Sequence, residues 1–401
     1  MKVLVLATDI FTRGGIARYT STLASSLGRM LGPENVDVLC FFDWGHAGDQ
    51  PSEFRLVGTV SSRARAGALS RLHFMFKAAR AGFRGYDLVI ANHVALAPVA
   101  AVMKRVFGTP YWVACHCVEI WWGTSRWRHI ALRNADLILP VSLYTADVVQ
   151  KMDGIRSSRV KVVYNAIPNF FAKLLVSQEP HEPTSGSTAK LKPGGKVLLS
   201  VCSLVRKNEF KGVDTVIRAL PRVLKAHPDL GYVVVGDGEL REKLESLAIE
   251  TGVAGNVTFV GEVSDAELAE LYRGCDAFVL PSRGQGRPGV AGGEGFGRVY
   301  VEAAMAGKPV VGSRSGGASE AVVQGRTGFV VDPDSIDEVA EALLAILQDP
   351  QLAARMGSAG KTWALDTFSE DALLSSLREL LRPYGFKNES MQKLAPAGGQ
   401  P

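Results

Sequence analysis

The sequence predicts an α/β chain of two doubly wound domains, each built on a parallel sheet, and three observations carry that prediction. Apolar, strand-like runs alternate with helical segments along most of the chain, and strand–helix–strand alternation builds parallel sheets with helices on both faces. The alternation breaks at Ser177 to Gly195 (SQEPHEPTSGSTAKLKPGG) and then restarts; a stretch so rich in Pro, Ser, Thr and Gly reads as an exposed linker or loop. The length, 401 residues, exceeds one small core and suits two α/β domains of ordinary size.

The first half opens on the strand run Lys2–Ala7, a turn at Gly14-Gly15 and a helical segment from Ile16 to Met30. Further strands read as Val36–Phe41, Leu88–Ala91, Tyr111–Ala114, Leu137–Val141 and Lys161–Tyr164. After the break they read as Val197–Val201, Tyr232–Val235, Val257–Val260, Ala277–Leu280, Val310–Gly312 and Phe329–Val331. Asp371–Leu381 reads as a helix with apolar positions at Leu373, Leu374, Leu377, Leu380 and Leu381. The expected organisation is a first domain over 1–176, a linker over 177–195 and a second domain over 196–368. The helix over 371–386 is expected to pack back on the first domain, and 388–401 to be a disordered tail.

Hydrophobic residues make up 47% and charged residues 21%, a globular balance that excludes wholesale disorder. The net charge of +5 is too small for a protein that coats nucleic acid, so no nucleic-acid partner is expected; an anionic ligand or an anionic membrane surface accounts for it. The five cysteines (Cys40, Cys115, Cys117, Cys202, Cys275) are odd in number and form no pair of CxxC motifs, which reads as reduced, mostly buried thiols in a cytosolic protein. The opening run MKVLVLATD is too short for a signal sequence. No apolar run reaches the about 18 residues that a membrane-spanning helix needs. The expected location is therefore cytoplasmic.

Three segments carry chemistry. Gly14-Gly15 lies between the first strand and the first helix, where the carboxyl ends of parallel strands bind ligands and a helix N-terminus offers N–H groups to an anion. Two adjacent glycines serve equally as a plain turn; the spacing is not GxGxxG, and a dehydrogenase is poorly supported. In the second half, Arg206 and Lys211 stand at a strand-to-helix loop (SLVRKNEFKG). Two fixed cations there suit a diphosphate leaving group, which gains negative charge as it departs; the alternative is a solvated basic loop. The most specific segment is GEGFGRVYVEAAMAGKP, Gly293 to Pro309. Its glycines let backbone approach a sugar and a phosphate, a helix start faces the phosphate, and Glu294 and Glu302 can accept from hydroxyl groups on either side. Simple helix capping is the competing reading for Glu294 alone.

With these pieces in order, the sequence resembles the family 4 glycosyltransferases of the GT-B fold over nearly its whole length, most strongly from Val201 to Pro333. The resemblance rests on Gly14-Gly15, His116 in ACHCVE, Ser142 ending ADLILPVS, Asn165 in VVYNAIP, Arg206 and Lys211, Gly236-Asp237-Gly238, FVGEV at Phe259–Val263, DAFVLPS at Asp276–Ser282, and Glu294 with Glu302. It implies two Rossmann-like domains facing a cleft, with an acceptor domain first and a nucleotide-sugar donor domain second. It implies catalytic positions at His116, Arg206, Lys211 and Glu294, with Glu119 a weaker candidate beside His116. Donor-binding positions would be Gly14, Gly15, Gly236, Gly261, Val263, Gly295, Phe296, Gly297 and Glu302: Glu294 on donor-sugar hydroxyls, Glu302 on the ribose, Arg206 and Lys211 on the diphosphate.

The activity implied is a retaining transfer of a sugar from a UDP- or GDP-sugar to a hydroxyl of a glycan or lipid-linked acceptor, in synthesis of bacterial cell-surface polysaccharide or glycolipid. No carboxylate here is an evident nucleophile of the kind paired in retaining glycosidases, so the implied step is front-face displacement. The resemblance implies no cofactor and no metal; Asp332-Pro333-Asp334 contains Pro and reads as a turn. The rival readings are a nucleotide-sugar 2-epimerase of the same fold and a non-catalytic nucleotide-sugar-binding scaffold. Finally, 61–85 carries Arg63, Arg65, Arg71, Lys77, Arg80 and Arg84 and no acid. On a helix, Leu69, Leu72, Phe76, Ala79 and Phe83 share one face beside a basic stripe. The plainer reading packs that face on its own sheet; the other lays it on an anionic membrane, and since relatives often act on lipid-linked acceptors there, the resemblance implies peripheral contact at the inner membrane face.

Overall fold

The computed structural model describes residues 1–12, 14–43, 52–62, 67–121, 123–177, 195–284 and 293–386. The elements run β1 (Val3–Ala7), α1 (Gly15–Leu31), β2 (Val36–Cys40), β3 (Phe42–Asp43), β4 (Arg55–Gly58), β5 (Ser61–Ser62), α2 (Ala68–Gly82), β6 (Leu88–Ala91) and α3 (Ala97–Phe107). They continue with β7 (Tyr111–Cys115), α4 (Val118–Trp121), α5 (Arg126–Asn134), β8 (Leu137–Pro140), α6 (Leu143–Gln150) and α7 (Asn169–Val176). Then follow β9 (Val197–Val201), α8 (Val213–Leu224), β10 (Gly231–Val235), α9 (Arg241–Glu250), β11 (Val257–Gly261), α10 (Asp265–Gly274) and β12 (Ala277–Val279). The chain closes with α11 (Arg298–Met305), β13 (Val310–Ser313), β14 (Gly328–Val331), α12 (Ile336–Gln348), α13 (Pro350–Phe368) and α14 (Glu370–Leu381).

Two six-stranded sheets result, ordered β4-β2-β1-β6-β7-β8 and β11-β10-β9-β12-β13-β14, and every paired register within them is parallel. Central strands such as β1 are buried at every residue. A strand covered on both faces carries side chains inward on each, which is why these strands read as unbroken apolar runs rather than alternating ones. In each sheet the order reverses beside the first strand, at β1/β6 and at β9/β12. Ligands of such sheets bind outside the carboxyl ends of the strands at that reversal. The loop after β1 holds Gly14 and the loop after β9 holds Arg206 and Lys211.

The chain divides into two compact units: Met1–Val113 with Asn134–Asp136 and the segment from Asp371, and Ala114–Arg133 with Leu137–Glu370. In the first unit the carboxyl-terminal segment buries Leu373, Leu374, Leu377 and Leu381, and Trp112 Nε1–H donates to the Tyr384 hydroxyl at 3.1 Å.

Besides the two-residue strands β3 and β5, which the sequence does not suggest and which pair only with each other, three elements differ from the sequence expectation. Lys161–Tyr164 is not a strand: the Lys161 and Val163 N–H groups donate to the Ile138 and Pro140 carbonyls of β8, each at 2.9 Å, but only one bridge, Ile138 to Val160, is completed. The short edge strand β4 escapes a pattern search because its RLVG is exposed or half-exposed and does not alternate. The third difference is α2. It turns Phe74, Ala78 and Ala81 inward and leaves Leu69 and Phe83 each 82% exposed, Phe76 66% and Leu72 61%. The apolar face expected to pack on the sheet therefore faces solvent. The smaller neighbouring face is chosen because α2 crosses α3 closely: a Cβ at Gly82 would fall inside the Phe107 ring's van der Waals distance. Arg63, Arg65, most of the 177–195 linker, the 388–401 tail and positions 285–292 of the glycine-rich loop lie outside the described residues.

Candidate active site

β9 ends at Val201 and the chain turns through a 3-10 segment, Arg206–Lys211, before α8. Gly212 makes that turn possible. Its φ is +78°, and a Cβ there would run into the Pro281 carbonyl, so only glycine fits. The turn aims Lys211 Nζ at Glu294 Oε2, with which it forms an ion pair whose side chains are only 18% and 14% exposed. Burial pulls the Lys211 ammonium down, but the charge and hydrogen bond of Glu294 outweigh it, so Lys211 titrates above its ordinary value. It stays a cation at any physiological pH. Arg206 is exposed at the head of the same segment. Its backbone N–H donates to Glu239 Oε1 at 3.0 Å, and its guanidinium makes no ion pair among the described residues.

Glu294 opens the loop that leads into α11. Its carbonyl accepts the Gly317 N–H at 2.9 Å. Phe296 is buried between the Tyr164 and Phe368 rings, centroids 5.6 and 5.0 Å away, so its side chain anchors the loop and its backbone is left to the other side. Gly297 has φ +86°, and a Cβ there would strike the Tyr300 ring. A Cβ at Gly295 would stand 2.5 Å from the His116 carbonyl oxygen, which brings His116 beside this loop within the second unit. Among the described residues, none accepts from the backbone N–H groups of Gly295, Phe296 and Gly297. Unpaired N–H groups at a helix start make a ready anion site.

Glu302 sits one turn further, on α11, and is 2% exposed. Its Oε2 accepts the Tyr272 hydroxyl at 2.9 Å and its Oε1 accepts Arg298 Nε at 2.8 Å. In this state its carboxylate thus faces α10 and its own helix rather than open space. Burial first, and the Glu302 charge after it, push the Tyr272 phenol well up, so it remains a donor. Sequence reasoning missed both partners. Arg298 was readable as an i,i+4 match to Glu302; Tyr272 was not, because its contact is made across two helices.

At the sheet's other end of the same edge, the Gly236 N–H donates to the Gly261 carbonyl at 2.8 Å. Gly236 (φ +119°) is forced by the Cys202 carbonyl against it; Val263 follows β11. His116 is 5% exposed at the end of β7. The Glu119 carboxylate accepts the backbone N–H groups of His116 and Cys117 at 2.6 and 3.0 Å, so it fixes the loop that carries His116. Asp332, Pro333 and Asp334 form a turn: the Asp334 N–H donates to Asp332 Oδ1 at 3.0 Å, and Asp334 pairs with Arg283 at 3.0 Å. In the first unit, Gly14 caps α1 and Gly15 begins it; a Cβ on Gly15 would meet nothing within 4 Å.

The family described as "Glycosyl transferases group 1" matches residues 187–363, and "Glycosyltransferase Family 4" matches residues 13–169. A curated relative from Mycolicibacterium smegmatis, named GDP-mannose-dependent alpha-(1-6)-phosphatidylinositol monomannoside mannosyltransferase, is 33% identical over 293 residues, 71% of this chain and 73% of its own. The chain belongs to the family 4, group 1 glycosyltransferases. A glycogen synthase of Mycobacterium tuberculosis is 30% identical over 69% of this glycosyltransferase and 63% of its own length. The fold is shared with solved structures at lower identity. Anabaena HepE in complex with UDP gives a TM-score of 0.74 at 22% identity, covering 96% of this chain and 100% of that one. Sucrose-phosphate synthase from Thermosynechococcus elongatus gives 0.75 at 22%, covering 96% and 99%. The glycosyltransferase therefore has the GT-B fold, with its two parallel sheets.

Proposed function

We propose that this glycosyltransferase moves a hexosyl group from a nucleoside-diphosphate sugar to a hydroxyl of a lipid-linked or glycan acceptor, with retention at the anomeric carbon and without a catalytic metal. The observation that carries the reading is the buried Lys211–Glu294 pair set beside the unaccepted N–H groups of Gly295, Phe296 and Gly297. A cation and three donors converge where a departing phosphate gains charge, and Glu294 supplies an acceptor for sugar hydroxyls next to it.

In this reading the bond from the anomeric carbon to the diphosphate oxygen breaks, and the acceptor oxygen bonds to that carbon on the same face. The acceptor proton passes to the leaving phosphate oxygen, giving the glycoside and the free nucleoside diphosphate. Lys211 and Arg206 hold the growing charge that a metal would otherwise hold. Glu302 keeps Arg298 on Oε1 and exchanges the Tyr272 hydroxyl on Oε2 for a ribose hydroxyl. His116, held by its loop beside Gly295, lines the reacting sugar. Gly236, Gly261 and Val263 border the base, and Gly14 and Gly15 bring backbone to the diphosphate. The Mycolicibacterium relative's name makes GDP-mannose and a phosphatidylinositol mannoside the first donor and acceptor to try, with UDP-sugars beside them. The exposed apolar face of α2, flanked by exposed Arg71 and Arg80, supports peripheral contact with an anionic membrane.

The test is a product assay with radiolabelled GDP-mannose and UDP-glucose, with and without a glycolipid acceptor and with EDTA present. An α-linked product from an α-linked donor, insensitive to EDTA, is expected. An epimerised donor formed without acceptor, or inversion at the anomeric carbon, would overturn the reading.

A further inference from the structure

We propose that Arg298 is a third cation of the donor site, holding a phosphate oxygen of the nucleoside diphosphate; this rests on the donor reading above. Arg298 is the first residue of α11 and its side chain is 11% exposed. Nε and Nη2 both lie 2.8 Å from Glu302 Oε1, which fixes the plane of the guanidinium. Nη1 is buried and has no hydrogen-bond partner among the described residues. A buried donor left unpaired costs about 1–3 kcal/mol, and the protein keeps it.

A second cost falls on the same turn. A cation at a helix start opposes the macrodipole, whose positive end lies there, and the first turn of α11 contains no acidic residue. Immediately upstream stand the N–H groups of Gly295, Phe296 and Gly297, for which no acceptor is found among the described residues. The nearest carboxylates are committed: Glu294 to Lys211, and Glu302 to Arg298 and Tyr272. The orphaned Nη1–H, the cation at the helix start and the open N–H groups belong to four consecutive residues, 295–298, and one anionic oxygen bound at the head of α11 would serve all of them. A phosphate provides it, and a charge-assisted bond formed away from bulk water is a strong one. Glu302 is then also a positioning residue, because it turns the guanidinium so that Nη1 is the edge left for the ligand.

The experiment is calorimetric titration of the full chain with GDP, UDP, the matching monophosphates and the nucleosides, for wild type, Arg298→Met, Arg298→Gln and Arg298→Lys. Arg298→Met and Arg298→Gln are expected to weaken the diphosphate that wild type binds by about 10- to 100-fold, to leave the nucleoside unchanged, and to be partly rescued in Arg298→Lys. Should Arg298→Met fail to fold by circular dichroism, the Gln and Lys variants carry the comparison. Unchanged diphosphate affinity, or an equal loss on nucleoside and diphosphate, overturns the assignment while the donor reading stands. Failure of wild type to bind either diphosphate sinks the donor reading and this one with it.

Discussion

Two glycine loops lie at the carboxyl ends of parallel strands, one after β1 and one after β12, and they are glycine for different reasons. In the loop before α11, the protein itself demands the missing side chains: Gly297 is left-handed against Tyr300, and Gly295 lies against the His116 carbonyl. In the loop before α1, it does not. Gly14 has an extended backbone, φ −69° and ψ 154°, its added Cβ would meet only Thr12 Oγ1 at an ordinary 3.6 Å, and one on Gly15 would meet nothing. A glycine that its own fold does not require is a better pointer to something outside the fold than one wedged into place.

The largest effect that could break this contrast is on stability. Gly297→Ala should lose about 3 kcal/mol, the sum of a left-handed Ala and a collision with a buried ring, read as a lowered urea midpoint. A midpoint within error of wild type would mean the loop is not packed as described. Next comes chemistry. Lys211→Met should cut kcat/KM about 100-fold or more, and a variant with near-normal turnover would remove Lys211 from the site.

Gly15→Ala sharpens the comparison most. It should leave stability unchanged or raise it by about 0.5 kcal/mol, since Ala fits a helical position and restrains the unfolded chain. The donor KM should nonetheless rise at least about tenfold. If both quantities stay at wild-type values, the position is only a turn. The smallest expected effect is that of pH. Lys211 is raised in the folded protein, so the stability it contributes is complete below its unfolded value and is lost as pH rises through the higher folded one. The stability gap between wild type and Lys211→Met should therefore stay flat from about pH 6 to 9 and narrow only above the ordinary lysine range.

Much of the fold was legible because buried parallel strands write themselves as apolar runs; Leu88–Ala91 and Val197–Val201 were readable to the residue. The edge strand β4 was not, because half-exposed residues carry no pattern, nor was the loss of Lys161–Tyr164, which donates to β8 at Ile138 and Pro140 yet completes only one bridge with it. Within the candidate site, the motif around Glu294 was legible as spacing. What Glu302 faces was not, since Tyr272 lies thirty residues away and only packing of α10 on α11 brings it near. On α2 the sequence shows one apolar face, through Leu69, Leu72, Phe76 and Phe83; the tight crossing at Gly82, invisible to periodicity, turns Phe74, Ala78 and Ala81 inward instead.

That crossing has a practical consequence. Four large apolar side chains on one helix stand in water, and each square ångström of such surface carries about 25 cal/mol of reason to leave it. In dilute buffer the purified chain should cluster through this face, and a mild detergent or lipid vesicle should disperse it. Rates measured against volume concentration would then mislead: if α2 rides on lipid, turnover follows how much surface the enzyme and a lipid-anchored acceptor share, and adding empty vesicles slows the reaction by thinning both out.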